Sequence, residues 1–463
     1  MEKRACLISS SVQGKDAYKL VDRISELPDE ILVRILSLLP LKEAGATSTL
    51  SRRWLYMWAS TKNLNFDADE TVRRYYWEYN QELKDQESSK YVDWVNHVVE
   101  QHREQEDLEQ FRVCFLGLDN RFTSSIDKWI QFAMKKRVQV LVLDFVTRLY
   151  DAKHYTFSNY LETSSEHFSF ESLKVLHLEC VNVTGDVLEC MLRNCPFLEQ
   201  VSVYYANNLV ELSVVDPSIA LKYLEIRYCG DIKRIQIRDA NLVSLSYSGR
   251  PIELDLSNVP LLIEVSICYD GFTDESMRLA FTHLSCCINQ LQTLMLDIPM
   301  FVQVHQKNFP VLPNLKNLEV RVCADACQST LPVLTSFMKA FPNLQRLVLK
   351  LEFSFPFNPT EGEKMFKGLC YGIYTEKCPH RNIKVVEILG YRHASTTVEL
   401  VNYIVKNVVA LDKIVIDPAR NWAHHGTRAN KRIEEVKLEE EARDHAMHFI
   451  RKVVPSSVEF VCL

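Results

Sequence analysis

Residues 173–178 read LKVLHL, and this six-residue pattern recurs along most of the chain, with Val, Ile or one Tyr replacing Leu. Its instances begin at Val138, Leu173, Leu198, Leu221, Leu242, Leu262, Leu291, Leu315, Leu344, Ile383 and Leu411. Successive instances start between 20 and 39 residues apart. One such hexamer arises easily by chance, but a long series at similar intervals indicates an internal repeat.

Each hexamer predicts a short β-strand. Its apolar residues alternate in the second half, as Leu176 and Leu178 do, so they point to the same side of the strand. A single repeat cannot bury that apolar side, and neighbouring repeats must therefore stack around a continuous core. The predicted fold is α/β: an irregular curved solenoid with a parallel sheet on its concave side and helices or loops outside.

Length and composition agree with a folded repeat array. The chain has 463 residues, which is too long for one ordinary compact core, and 47% of them are apolar. A net charge of -6 gives no overall attraction to nucleic acid or to an anionic membrane, although a local basic patch could lie within this total, so charge alone leaves the partner open. We expect neither nucleic acid nor a membrane as a partner. The N-terminus lacks a secretory signal, and no apolar stretch is long enough to span a bilayer. We expect the nucleus or the cytoplasm.

A different pattern precedes the repeats. Residues 23–58 read RISELPDEILVRILSLLPLKEAGATSTLSRRWLYMW, and between residues 31 and 39 only Arg34 and Ser37 are polar. Pro28 suits a first helical turn and Pro40 ends the helix. A further helix is predicted to carry Leu50, Trp54, Met57 and Trp58 on one face.

A helix that is apolar on nearly every side is normally buried, and a three-helix unit this small cannot enclose it. One alternative is a partner protein, because five or six buried apolar side chains would each contribute about 1.5–3 kcal/mol before association costs. The other alternative is that these helices cap the N-terminal end of the solenoid. The residues alone leave both open.

Sequence motifs point to a known family. The segment RISELPDEILVRILSLLP, followed by TSTLSRRWLYMW, closely resembles the F-box of plant proteins. Residues 91–102 (YVDWVNHVVEQH), 111–115 (FRVCF) and 126–145 resemble the start of the leucine-rich repeats in plant F-box/LRR proteins, and residues 384–418 resemble their C-terminal FBD module. Cys229 and Cys323 stand where the repeat consensus places an inward-turning Asn or Cys.

The predicted organisation follows from these segments. We expect a flexible arm over residues 1–20, a three-helix F-box over 21–60, a linker over 61–90, a leucine-rich repeat solenoid over 91–375 and FBD-like C-terminal repeats over 376–463.

The resemblance implies a non-catalytic substrate receptor of an SCF-type ubiquitin ligase, which binds a Skp-family adaptor and, through it, a cullin. Carried onto this chain, the adaptor-binding residues would be Leu27, Pro28, Ile31, Leu32, Ile35, Leu36, Leu39, Pro40, Leu41, Leu50, Trp54 and Trp58. Gly45 departs from the usual pattern, since glycine costs about 1 kcal/mol relative to alanine inside a helix. The alternative function is a non-degradative scaffold or ligand sensor.

No catalytic, metal or cofactor motif accompanies this pattern. His97 and His102 are five residues apart, which misses the spacing of a helical zinc pair. The cysteines form no paired zinc knuckle, and we expect the two histidines of NWAHH (421–425) to be surface residues. We therefore expect no enzyme activity, no metal and no cofactor.

A protein substrate of unknown identity is expected on the sheet face of the solenoid, where the residues between the buried positions point outward. This predicted ladder comprises His177, Glu179, Gln200, Ser202, Tyr204, Tyr223, Glu225, Arg227, Ser246, Glu319, Arg321, Arg346 and Lys350. Tyr204 and Tyr223 are the preferred anchors, since aromatic side chains contribute disproportionately to binding. Arg227, Arg321, Arg346 and Lys350 would either hold an acidic or phosphorylated partner or simply be solvated.

Overall fold

The computed structural model describes residue 24 and residues 26–54, 57–67, 81–102, 107–145, 153–157, 170–270, 274–298, 309–323, 327–353, 379–419 and 433–463. Three predictions fall on other residues: the arm over 1–20, the central part of the linker (68–80) and the surface position of NWAHH (421–425). They lie outside the described residues and stay predictions.

Most of the described chain is organised around one 14-stranded sheet in which all neighbouring strands are parallel. Its strands, in spatial order, are β1 (Asn63–Asp67), β2 (Gln110–Cys114), β3 (Val140–Asp144), β4 (Val175–Glu179), β5 (Gln200–Tyr204), β7 (Tyr223–Arg227), β9 (Ser244–Gly249), β11 (Glu264–Tyr269), β12 (Thr293–Ile298), β13 (Asn317–Cys323), β14 (Arg346–Glu352), β15 (Val385–Leu389), β16 (Lys413–Asp417) and β17 (Glu459–Cys462). Every predicted hexamer supplies one of them. The α/β solenoid with a curved parallel sheet is confirmed.

Two kinds of segment connect these strands. Helices follow in the longer repeats: α3 (Gln81–Gln101), α4 (Thr123–Lys135), α5 (Gly185–Asn194), α6 (Asp274–His283), α7 (Cys327–Ala340), α8 (Ser395–Asn407) and α9 (Ile433–His445). The shortest repeats carry a second parallel sheet instead, in the order β10 (Glu253–Ser257), β8 (Arg234–Arg238), β6 (Glu211–Val215). Between successive strands of the main sheet, the connections that carry these short strands have 14 to 18 residues, whereas those that carry a helix have 20 or more.

One hydrophobic core runs the length of the solenoid. It extends from Leu41 to Val458 and contains the inward residue of nearly every strand, such as Leu176 and Leu178. Large polar-tipped aromatics in it are satisfied: Trp129 Nε1 donates to Asn96 Oδ1 at 2.8 Å. The main-sheet face that points away from this core is called the concave face below.

The backbone turns sharply at the ends of the middle strands. Cys180, Tyr205 and Tyr228 directly follow β4, β5 and β7, and their φ angles are 55°, 53° and 52°. This left-handed conformation is uncommon for residues other than glycine. The turn sends Cys229 inward, where its Sγ lies 3.7 Å from Val203 O and the side chain is buried, as predicted. The side chain of Cys323 lies outside what the structure describes.

Two predictions about the N-terminal third are wrong. The expected linker over 61–90 contains β1, whose Asn63 pairs with Gln110, and α3, which begins at Gln81. The solenoid therefore begins at the first strand; NLNFD is too short and polar for the hexamer pattern to reveal it. The second is the third α-helix over residues 50–58: its described residues, 50–54 and 57–58, include no α-helical residue, and 3₁₀ turns lie at Thr47–Thr49 and Trp58–Ser60. The FBD boundary at 376 stays a prediction, since β14 pairs directly with β15.

Candidate functional site

The N-terminal unit begins with α1 (Asp29–Leu36) and α2 (Leu41–Ala46). Its first helix has two apolar sides. Leu32 and Leu36, one turn apart, are fully buried in a small core with Ala44, Trp54 and Met57. Because residues four apart share a helix face, Ile31 and Ile35 form a second face beside the first.

That second face is open to solvent. Ile31 and Ile35 are 43% and 39% exposed. They belong to a set of exposed apolar side chains that we call the α1 patch: Ile24, Ile31, Ile35, Leu38, Leu39 and Leu50. Four of them lie on α1 or within three residues of its end, and exposed apolar patches commonly mark a protein interaction site.

The opposite side of the unit packs on the solenoid. Leu41 of α2 belongs to the main core, and Trp58 packs against both that core and the small one. The ammonium of Lys42 lies 5.1 Å from the centroid of Trp94 on α3. The capping alternative is therefore correct for α2, while the α1 patch stays available to a partner.

The predicted adaptor-binding residues divide by burial. Leu32, Leu36, Leu41 and Trp54 are buried and pack within the protein itself; an adaptor contact for any of them stays a prediction. The exposed members are Pro28, Ile31, Ile35, Leu39, Pro40 and Leu50, and the half-buried members are Leu27 and Trp58. Leu38, 83% exposed, and Ile24 were not predicted. Leu38 follows Leu36 and Ser37 in the same apolar run, which was the available signal.

On the concave face, the basic side chains are already in ion pairs. Arg321 Nη2 lies 2.6 Å from Asp297 Oδ2, and Arg346 Nε lies 2.8 Å from Glu387 Oε1. Lys350 pairs with Glu319, and Arg227 pairs with Glu225. Each pair joins side chains whose opposite charges cancel locally. The four predicted cations therefore do not form a free basic surface for an acidic partner.

Burial differs from prediction at two ladder positions. Glu179 and Ser202 are buried, although alternation placed them outward. They do lie on the concave face, but their strand neighbours in register, Tyr204 and Glu225, are larger and flank them. Tyr223, the other predicted anchor, is 44% exposed.

Tyr204 lies at the centre of a polar and aromatic group on β4, β5 and β7. Its hydroxyl donates to Glu225, its ring lies 4.9 Å from that of His177, and the Arg227 guanidinium lies 5.5 Å from its centroid. Burial, and then the hydrogen bond to Glu225, raise the pKa of Tyr204 well above its usual range. At the ends of the strands, the rings of Tyr205 and Tyr228 stack at 5.2 Å. We call this group, together with Glu179 on β4, the β4–β7 cluster.

Other features of the described residues are less distinctive. A cleft of about 710 Å³ lies where β7 and β9 lead into the second sheet, and its charged lining residues, Asp231, Lys233, Arg250 and Glu253, are all exposed. Within the described ranges, His, Cys, Asp and Glu side chains form no group of three or more that could hold a metal ion. Among the helices described, none combines the length and apolarity needed to cross a membrane.

Comparison with known proteins agrees with this architecture. The F-box domain model matches residues 24–66, and the model "At1g61320/AtMIF1, LRR domain" matches residues 160–463. The Arabidopsis thaliana F-box/LRR-repeat protein At5g54820 is 24% identical, over 83% of this chain and 88% of its own length. The Arabidopsis F-box/FBD/LRR-repeat protein At4g26340 is 26% identical, over 86% and 93%. The Arabidopsis F-box protein At1g49610 is 31% identical over 46% of this chain, which spans 51% of that relative.

An F-box followed by leucine-rich repeats is an architecture typical of non-catalytic adaptor proteins. The repeat model covers more than half of the chain, and the F-box model covers the unit that carries the α1 patch. The chain therefore belongs to the family of plant F-box/leucine-rich-repeat proteins.

Proposed function

We propose that this protein is a substrate receptor of an SCF-type ubiquitin ligase, in which the α1 patch binds a Skp-family adaptor and the concave face binds a target protein. The observation that carries the proposal is the division of α1 into two apolar faces. Leu32 and Leu36 stabilise the unit, while Ile31 and Ile35 remain solvent-exposed beside them. Apolar surface of that kind gains free energy when a partner covers it.

The receptor performs no covalent step under this proposal. Adaptor and cullin hold the bound target near a ubiquitin-loaded enzyme, so the target's lysines reach a high effective concentration there. The solenoid suits this role because one continuous core includes Leu41 of the F-box unit and the inward side chains of the strands that form the concave face. We place this activity in the nucleus or the cytoplasm.

The adaptor-binding step can be tested with a surface variant. In Ile31→Asp/Ile35→Asp, two exposed side chains become charged while Leu32 and Leu36 stay in place. We expect adaptor affinity to fall at least about 100-fold, because each substitution removes an apolar contact and places a carboxylate where the adaptor would exclude water. Isothermal titration calorimetry with a purified Skp-family adaptor measures the change.

The matched control is Val215→Asp, since Val215 is also an exposed apolar residue but lies on β6 in the second sheet. It should bind the adaptor as the wild type does. A wild-type chain that fails to bind any Skp-family adaptor would remove the receptor proposal. In cells, the double variant should also slow degradation of the target; a non-degradative scaffold would show no such change.

A further inference from the structure

Glu179 is a buried acidic residue on the concave face. Its side chain is 7% exposed, and Oε2 lies 3.6 Å from His177 Nε2, a partner that is charged only when protonated. Oε1 has no hydrogen-bond partner among the residues that the structure describes. Burying a carboxylate without full hydrogen bonding is costly, so this position favours an additional donor.

The other charges of the β4–β7 cluster do not supply that donor. Arg227 is paired with Glu225, which also accepts the hydroxyl of Tyr204. On the other side, Asp144 of β3 is in register with Glu179 and accepts a hydrogen bond from the Cys114 thiol at 3.1 Å. Two carboxylates therefore lie on neighbouring strands, and the nearest arginine on the sheet is two strands from Glu179.

In the C-terminal half of the concave face, acidic and basic side chains are paired. There, Arg321, Arg346 and Lys350 each have an acidic partner on an adjacent strand. Glu179 differs from their partners, because neither of its neighbours in register, Asp144 on β3 and Tyr204 on β5, is a basic residue. It is bordered by aromatic rings: Tyr204, and the stacked pair Tyr205 and Tyr228.

We propose that the β4–β7 cluster binds a lysine or arginine side chain of the target protein, with the cationic group donating to Glu179 Oε1. This inference rests on the proposed function, because it takes the concave face as the surface that holds the target. A cation satisfies the orphaned carboxylate oxygen, and aromatic faces add favourable cation–π contact. The same charge arrangement disfavours an acidic or phosphorylated segment at this position.

Small probes test the chemistry without knowledge of the target. N-acetyl-arginine methylamide and N-acetyl-lysine methylamide carry the cation, and N-acetyl-citrulline methylamide is a neutral analogue of the first. Saturation-transfer NMR with the full chain should detect at least one cationic probe and give little signal for citrulline. Binding of the citrulline probe as tight as that of the better cationic probe would overturn the proposal, as would no binding of either cation.

Variants locate the binding. Glu179→Gln keeps the shape of the side chain and removes its charge. It should lower the affinity for the cationic probe about tenfold, the scale of one charge-assisted hydrogen bond. Glu179→Asp keeps the charge on a shorter side chain and should lower this affinity less. The matched control, Glu264→Gln, changes an exposed concave-face glutamate on β11 and should have no effect. Unchanged binding in Glu179→Gln, with an unchanged melting temperature, would overturn the proposal.

The two proposals can fail separately. Glu179 lies on β4, whereas the adaptor experiment changes only α1, so each variant leaves the other surface intact. Adaptor binding without cation binding would retain the receptor and reject the inference about its target. Cation binding without adaptor binding would do the reverse.

Discussion

Single residues show what the amino-acid sequence does and does not determine. An apolar run such as residues 31–39 identifies a helix that must be covered. A leucine or isoleucine has the same hydropathy whether it packs in the unit's own core or is exposed to a partner. Only packing separates Leu32, which Trp54 and Met57 enclose, from Ile31, which lies one residue earlier and is exposed. The burial of the Glu179 carboxylate was likewise not predictable from the sequence, because alternation places this side chain on the outward face of the strand.

Cysteine chemistry provides a prediction at this scale. Burial raises the pKa of the Cys229 thiol to about 12, whereas interaction with the neighbouring Cys287 thiol lowers the pKa of the exposed Cys286 thiol below its usual value. Because the thiolate is the nucleophile, iodoacetamide should alkylate Cys286 at lower pH than an ordinary thiol and much faster than Cys229. Peptide mapping after timed iodoacetamide treatment measures both rates. Equal rates for Cys229 and Cys286 in the folded protein would contradict the described burial.

At the scale of elements, two helical glycines should respond oppositely to alanine. A Cβ on Gly45 in α2 would meet no atom within 4 Å, whereas a Cβ on Gly185 in α5 would lie 1.9 Å from Glu211 O. Gly45→Ala should therefore stabilise the F-box unit by about 0.5–1 kcal/mol, through helix propensity. Gly185→Ala should destabilise the solenoid by about 1–3 kcal/mol, because the added methyl group would overpack against β6. Urea unfolding monitored by tryptophan fluorescence compares them; the same sign for both would be inconsistent with these contacts.

We expect one buried arginine to stabilise the C-terminal helix α9. Arg392 is 1% exposed, donates to Tyr391 O at 2.8 Å and lies 4.0 Å from Glu435 of α9. Arg392→Ala leaves that glutamate buried without its cation and should cost about 3–5 kcal/mol. Hydrogen exchange over residues 433–445 should then accelerate. Lys437→Ala, which removes only an exposed pair within α9, should leave exchange there nearly unchanged; similar effects of both variants would contradict the role of Arg392.

For the whole molecule, the repeat pattern predicted the main sheet because alternation and stacking follow from burial alone. The second sheet was not predicted: ELSVV (211–215), RIQIR (234–238) and ELDLS (253–257) alternate too, but they lie between the hexamers, where a helix or loop was equally compatible. The first strand was missed for its polarity. The orientation of the F-box unit depends on contacts far apart in sequence, such as Lys42 with Trp94, which no local pattern reveals.

The central claim is that the exposed side of α1, rather than the sheet, receives the adaptor. Hydrogen exchange of the full chain, with and without a saturating Skp-family adaptor, tests it most directly. We predict slower exchange in peptides that cover α1, residues 37–40 and residue 50, and no change in the strands that carry Tyr204 and Tyr223. Adaptor-dependent protection confined to the concave face, with α1 unaffected, would contradict the account.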